Sequence, residues 1–188
     1  MSGQTSEWYT RPKYIEAARL VMGGIDLDPA SSAAANQIVK ATRYYTKEQN
    51  GLQQPWYGHV WLNPPYGRTV KMQGQHKSTI RLFVEKLVES YAAGSVTQAI
   101  ILATTEVNAV WFYPLWQYPI CIPDHRVHFI VPEKLEKYCQ MFGTCFAYLG
   151  PNEEEFAEVF SQFGRIVKAI DSPKAKPVMR ELWLEVAG

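Results

Sequence analysis

The chain has 188 residues, 47% of them hydrophobic, and its 19 Lys and Arg nearly balance 18 Asp and Glu. That length fits one domain with a sizeable core, and a net charge of +1 rules out reading nucleic-acid binding from bulk charge alone. No signal peptide and no bilayer-spanning apolar run is visible, so a cytoplasmic protein without a membrane partner is expected.

The three cysteines, Cys121, Cys139 and Cys145, form no Cys-x-x-Cys pair and read as reduced thiols. Cys121, His125 and His128 are close in sequence, but their spacing matches no common zinc pattern, so no metal is expected. Charge is unevenly distributed. Residues 67–82 hold Arg68, Lys71, Lys77 and Arg81 with no acid, whereas Glu153, Glu154, Glu155 and Glu158 cluster late.

Residues 1–6 are polar. A helix is predicted over residues 12–22, with Thr10 as cap, Pro12 in the first turn, and Ile15, Ala18, Leu20 and Val21 as its apolar face. Gly23-Gly24 ends it. Ile25-Asp26-Leu27-Asp28 reads as a short strand, then Pro29-Ala30-Ser31-Ser32 leads into a helix through about Ala41. A strand ending in an acid, then small residues and a helix start with free N–H groups, makes either a cofactor site or a plain strand-to-helix turn.

Arg43-Tyr44-Tyr45-Thr46 reads as a second short strand, and residues 47–58 as a loop containing Asn50-Gly51-Leu52 and Trp56. Asn50 is placed to face the adenine of a cofactor, although Asn-Gly also marks simple turns. Val60-Trp61-Leu62 is a buried strand that must stop at Asn63-Pro64-Pro65-Tyr66, because proline lacks the N–H a ladder needs and restricts the residue before it. At ordinary proline usage such a four-residue set arises by chance in roughly one chain in a thousand of this size.

That turn suits methyl transfer to a planar nitrogen. An exocyclic amino group has its lone pair delocalised into the ring and must be turned toward tetrahedral geometry before it can attack. The Asn63 side-chain carbonyl and a backbone carbonyl of the Pro64-Pro65 turn can accept the amino hydrogens and do this. The stiff turn fixes both acceptors, and acceptors suit the positive charge that develops there. Tyr66 would stack on a base taken out of the duplex.

Residues 67–78 are polar, basic and glycine-containing, and read as a mobile loop whose cations (Arg68, Lys71 and Lys77, with Arg81 just beyond) either hold phosphates or are simply solvated. A helix follows over residues 79–91, with Ile80, Phe83, Val84, Leu87 and Val88 on one face. Residues 98–104 are a buried strand, 107–115 a short aromatic helix, 119–122 a strand, and 126–129 an alternating exposed strand. Residues 132–143 read as a substrate loop and 145–150 as a strand. Asn152 is expected to cap a helix over residues 153–162. Residues 165–170 and 181–186 alternate and are expected to pair as late strands.

The predicted fold class is α/β, a three-layer and mostly parallel sheet with late antiparallel strands. The strands ending at Asp28 and Asn63 would lie near its middle, with a cofactor across their carboxyl ends. No internal repeat or domain linker is visible, so residues 1–188 are expected to form one domain without a separate target-recognition domain.

Taken in order, Trp8-Tyr9-Thr10, Asp26 to Ser31, Tyr44-Tyr45-Thr46, Gly51-Leu52, Trp56-Tyr57-Gly58, Asn63 to Tyr66, Trp111-Phe112, Arg126 to Phe129 and Phe146 to Gly150 form a set that covers nearly the whole chain. In this set the chain resembles the compact phage and prophage type of DNA adenine methyltransferase, related to the Dam group of amino-methyltransferases. The resemblance implies S-adenosylmethionine as methyl donor, DNA as partner, and the Rossmann-like fold common to such enzymes. It implies Asn63, Pro64, Pro65 and Tyr66 as the catalytic turn, Asp28, Pro29, Ala30 and Ser31 as the donor-binding motif, and Trp8 and Thr10 in the flanking donor-contact motif.

Arg11 departs from the proline usual after that threonine, and Gln49-Asn50 stands where an acid often precedes Gly-Leu. The same turn chemistry also serves cytosine-amino, RNA and protein-glutamine methylation, and a catalytically silent DNA-binding relative would share the fold. No obligate protein partner is inferred, and sequence specificity is expected to be short or relaxed.

Overall fold

The computed structural model describes residues 8–66, 69–72, 75–130 and 143–170; between residues 67 and 76 the description is of backbone alone. The elements, in order, are α1 (Pro12–Met22), β1 (Leu27–Asp28), α2 (Ala33–Val39), β2 (Arg43–Tyr44), β3 (Gly58–Leu62), β4 (Thr69–Met72), β5 (Gln75–Ser78), α3 (Thr79–Ala92), β6 (Val96–Thr104), β7 (Ile120–Pro123), β8 (Thr144–Leu149), α4 (Glu153–Phe160) and β9 (Gly164–Val167). Seven strands form one sheet in the order β2-β1-β3-β6-β8-β7-β9. Pairing is parallel from β2 through β6 and antiparallel from β6 through β9, so β7 again points the same way as β6. This is a mixed α/β sheet in which most strands share one direction, compatible with a methyltransferase fold.

The helices follow from their sequences. Pro12 sits in the first turn of α1, and Gly23 ends it at φ 75°, where a residue without Cβ is unstrained, its N–H reaching the Arg19 carbonyl at 2.7 Å. Tyr14, Ile15, Ala17, Ala18, Val21 and Met22 are buried, but Leu20, expected on that face, is 68% exposed because it lies one turn beyond Glu16 on the outer side. Thr10 does not cap α1; the capping position is Arg11, whose side chain makes no capping hydrogen bond. Ser32 does cap α2, its Oγ accepting from the Ala35 N–H at 3.2 Å.

Strand side chains alternate between two cores. Trp61, Ile100, Leu102, Phe146 and Tyr148 join α1 and α4 residues in one; Val60, Leu62, Ile101, Ala103 and Ala147 join α3 residues in the other. Both faces are covered, so β6 and β8 read as continuous apolar runs.

Four further expectations change. Within residues 67–78, read as a loop, β4 and β5 pair antiparallel from Thr69↔Ser78 to Met72↔Gln75; only Gln73 and Gly74 separate them, a tight-hairpin spacing. The stretch 107–115 is not a helix: turns lead to a 3-10 segment, Tyr113–Gln117, containing Pro114. Residues 126–129 make no strand. Val127 and Phe129 are buried, and the pairing nearby is of isolated bridges at Phe129 and Ile130, the latter to Tyr9. Asn152 does not cap α4 with its side chain, which instead donates from Nδ2 to the Val21 carbonyl at 3.3 Å. The strand read at 165–170 is β9, paired with β7; its expected partner at 181–186 lies outside the described residues, as do Cys139 and residues 132–142.

Candidate active site

Strands β1 and β3 are neighbours and end side by side, so Asp28 and Asn63 stand at the carboxyl edge of adjacent strands. Asp28 is 3% exposed. Burial pushes its carboxyl up to about 6, outweighing the Ser31 hydroxyl and the Ala30 N–H, which favour the charged form. The Ala30 N–H reaches Asp28 Oδ1 at 3.2 Å, and the Ser31 N–H bonds the Tyr45 carbonyl at 2.9 Å, which ties the turn to the end of β2. Ser31 Oγ is close enough to bias Asp28 but makes no hydrogen bond of good geometry, and it is buried.

Thr10 stands just before α1, which starts at this same edge. It is 4% exposed and its Oγ1 is likewise buried without a partner. Buried polar atoms are normally paired, so the Ser31 and Thr10 hydroxyls are two exceptions at this edge, without a hydrogen-bond partner among the described residues. Trp8, half-buried, packs edge-on against Phe129 at 5.9 Å.

The loop after β2 closes over this turn. A Cβ on Gly51 would lie 1.9 Å from the Pro29 carbonyl oxygen, so only glycine permits the approach. Trp56 Nε1 donates to the Gly51 carbonyl at 2.8 Å. From α3, the Lys86 ammonium donates to the Leu52 and Gln54 carbonyls at 2.5 and 2.7 Å. Asn50 is exposed at φ 51°, its carbonyl accepting from Gln53 N–H at 2.8 Å. Its side chain is therefore at the rim of the turn, with no bond into it.

After β3 the chain turns through Asn63-Pro64-Pro65-Tyr66. Asn63 is half-buried, Pro64 buried, Pro65 exposed and Tyr66 half-buried against the α3-side core. The Tyr66 hydroxyl, whose burial raises its pKa, lies 2.6 Å from the Leu102 carbonyl on β6 and 3.0 Å from Asn63 Oδ1. Beside it, the buried Cys145 thiol is pushed up to about 12 and stays protonated. The site thus brings together hydrogen-bond acceptors, an aromatic ring and a buried acid.

Of the candidate phosphate contacts, Arg68 lies outside the described residues, and Lys71 is placed on β4 by its backbone. Lys77 and Arg81 both reach Glu85, at 3.0 and 2.7 Å. Although partial burial works against it, their hydrogen bonds and charges hold the Glu85 carboxyl below its usual value. Sequence reading missed Glu85, although its i,i+4 spacing from Arg81 signals the pair. Lys86 and Leu102 carried no local signal, because one acts on, and the other through, backbone carbonyls distant in sequence.

A family model described as DNA N-6-adenine-methyltransferase (Dam) matches residues 2–150. A DNA N-6-adenine-methyltransferase of Escherichia phage T1 is 31% identical over 108 residues, covering 56% of this chain and 38% of that protein. The chain therefore matches well under half the length of this relative.

Proposed function

Since the chain belongs to the Dam family of DNA N-6-adenine-methyltransferases, we propose that it transfers a methyl group from S-adenosylmethionine to the exocyclic amino group of adenine in DNA. The observation that carries this reading is the juxtaposition of Asp28 and Asn63 on adjacent strand ends, with buried unpartnered hydroxyls at Thr10 and Ser31. That donor set fits a ligand with both cationic and anionic groups. Asp28, beside Pro29, Ala30 and Ser31, would hold a cation; Thr10 and Ser31 would meet polar atoms; Trp8 and Asn50 would border the site. S-adenosylmethionine supplies an electrophilic methyl when bound there.

The protein's own part is to prepare the nucleophile. The Asn63 carbonyl and a backbone carbonyl of the turn accept the two amino hydrogens, drawing the nitrogen lone pair out of conjugation. Pro64 and Pro65 leave these acceptors little freedom, so the orienting entropy is lost on folding rather than on binding. Tyr66, anchored at its hydroxyl, offers its ring as a fixed stacking surface. No base is needed to start the attack, because the amino group is neutral; its positive charge develops only as the new bond forms and the methyl leaves its sulfur, and the methylated nitrogen then loses one proton to water.

We read the described residues as one Rossmann-like methyltransferase domain. The β4–β5 hairpin, with Arg68 and Lys71, and residues 132–143 are assigned to DNA contact, which leaves specificity short or relaxed. A demonstrated recognition site of six or more fixed base pairs would sink that assignment.

The test is transfer of labelled methyl from S-adenosylmethionine to unmethylated DNA, with RNA and protein extracts alongside and analysis of the released nucleosides. N6-methyladenine from DNA is expected. Methylcytosine, or label only in RNA or protein, would refute the substrate while keeping the turn's chemistry. No transfer despite donor binding would indicate a silent relative.

A further inference from the structure

We propose that the carboxyl edge carries a second DNA-phosphate contact surface, made by Arg11, Lys13, Arg126 and Arg165 and lying across the catalytic turn from the hairpin. The inference rests on the reading of DNA as substrate and adds where the duplex lies.

Three chain segments meet there. The first turn of α1 brings Arg11 and Lys13, the exit of β7 brings Asp124, His125 and Arg126, and the start of β9 brings Arg165, whose backbone pairs with Ile122. They are pinned together. The buried Tyr14 hydroxyl lies 2.9 Å from His125 Nε2, His125 Nδ1 lies 2.6 Å from Asp124 Oδ1, and the Asp124 N–H bonds the Phe163 carbonyl at 3.1 Å. The Lys13 ammonium sits 4.7 Å from the Tyr14 ring centroid and 5.5 Å from that of Phe163. Arg11 is near enough to act on Tyr14, and Arg165 on Asp124.

The charges are unequal. Among the described residues, the segments that carry Arg11, Lys13, Arg126 and Arg165 bring one local carboxylate, Asp124, which is already engaged with His125; the nearby Glu16 carboxylate lies 3.5 Å from Arg19. Lys13, Arg126 and Arg165 are exposed, and neither Lys13 nor Arg126 has an ion-pair partner among the described residues. On the hairpin side, by contrast, Lys77 and Arg81 share Glu85. A second group of cations thus stands on the α1–β7–β9 side, where sequence reading placed none.

The dimensions fit a duplex. Asn63 follows β3 and the patch adjoins β7, three strands along the sheet. At about 4.8 Å per strand that is roughly 14 Å, close to the major-groove width of about 12 Å. A duplex that presents a base to Asn63 can lay phosphates over the patch while the hairpin engages its other side. Fixed cations on a rigid scaffold then set the register of the duplex without reading its sequence.

The test measures binding of a short unmethylated duplex against salt for the wild type, for Lys13→Gln, Arg126→Gln and Arg165→Gln singly, and for the triple variant. Donor binding by each protein reports folding, and wild-type DNA methylation is measured in parallel. The slope of log affinity against log salt should shrink by roughly 0.9 for each lost contact, and the triple variant should bind at least tenfold more weakly at 100 mM salt. The single variants, all at exposed positions, keep the test open should the triple variant not fold. Unchanged slope and affinity in variants that still bind donor, with a wild type that methylates DNA, would overturn the surface alone. A wild type that neither binds nor methylates DNA would overturn the substrate reading and this surface with it.

Discussion

The Tyr66 hydroxyl lies 2.6 Å from the Leu102 carbonyl and 3.0 Å from the Asn63 side-chain amide. A phenol has one proton to donate, and the shorter contact is to a backbone carbonyl that can only accept. The amide's oxygen and nitrogen exchange places by a half-turn about its last bond. The arrangement that satisfies all three groups has Tyr66 donating to Leu102 and receiving from the Asn63 Nδ2–H. That turns the Asn63 carbonyl away from Tyr66, toward the site. In the proposed mechanism Tyr66 thus positions Asn63 as well as offering its ring for stacking.

Tyr66→Phe keeps the ring and removes the hydroxyl. One hydrogen bond of about 1–1.5 kcal/mol corresponds to roughly a tenfold fall in kcat. KM for DNA should stay within about twofold, since the stacking surface survives. Steady-state kinetics checks this, and an unchanged kcat would contradict the positioning role.

Asp28 predicts an unusual pH dependence. Its folded value of about 6 exceeds the ordinary 3.8, so the folded state binds the extra proton between those limits. Stability contributed by this group is present at pH below 3.8 and falls as pH rises to about 6, by about 3 kcal/mol in all. Asp28→Asn should therefore be the more stable protein near pH 7 and lose its advantage near pH 4, as urea unfolding would show. Donor affinity should move the opposite way in the wild type, rising from pH 5 to 7, and stay flat in the variant.

Gly51→Ala places a methyl against the Pro29 carbonyl, backbone against backbone, so the loop must move rather than a side chain turn aside. Overpacking of this kind costs about 1–3 kcal/mol. Because the loop closes over the Asp28 turn, donor affinity should fall at least tenfold by calorimetry. Lys86→Met, which removes the two carbonyl contacts but keeps the stem, should weaken donor binding less. Equal donor affinity in all three proteins would mean that this loop does not border the donor site.

Glu85→Gln removes the charge shared by Lys77 and Arg81. Both cations then become available to phosphates, so the salt slope of DNA binding should steepen by about 1–2. Partly exposed pairs of this kind contribute about 1 kcal/mol or less each, so the fold should survive. A slope equal to the wild type's would show that neither cation meets DNA.

What the sequence revealed and concealed divides along physical lines. The strand ending at Asn63 was legible because Pro64 and Pro65 cannot continue a ladder, and α1 because Pro12 and Gly23 mark its ends. Alternation at residues 126–129 was read as an exposed strand, whereas Val127 and Phe129 are buried and the described residues there form isolated bridges; alternation reports which side chains share a face and not a hydrogen-bond partner. The hairpin was hidden by its polar composition, since polar strands lack the apolar signature by which a strand is read. At the site, the residue types of the turn and of the Asp28 motif could be read directly. The contacts of Leu102, Lys86 and Glu85 depend on which strands and helices become neighbours, which no local pattern encodes.

The most direct measurement is single-turnover methyl transfer to DNA by the wild type and Asn63→Ala, each saturated with S-adenosylmethionine and DNA, with donor binding measured separately. The wild type should yield N6-methyladenine. Asn63→Ala should lose at least a thousandfold in rate while binding the donor within about threefold, because the proposed role of Asn63 is to prepare the amino group and not to hold the donor. Transfer by Asn63→Ala at a rate near the wild type's would contradict the account, since the amino nitrogen would then be activated by some group other than the turn.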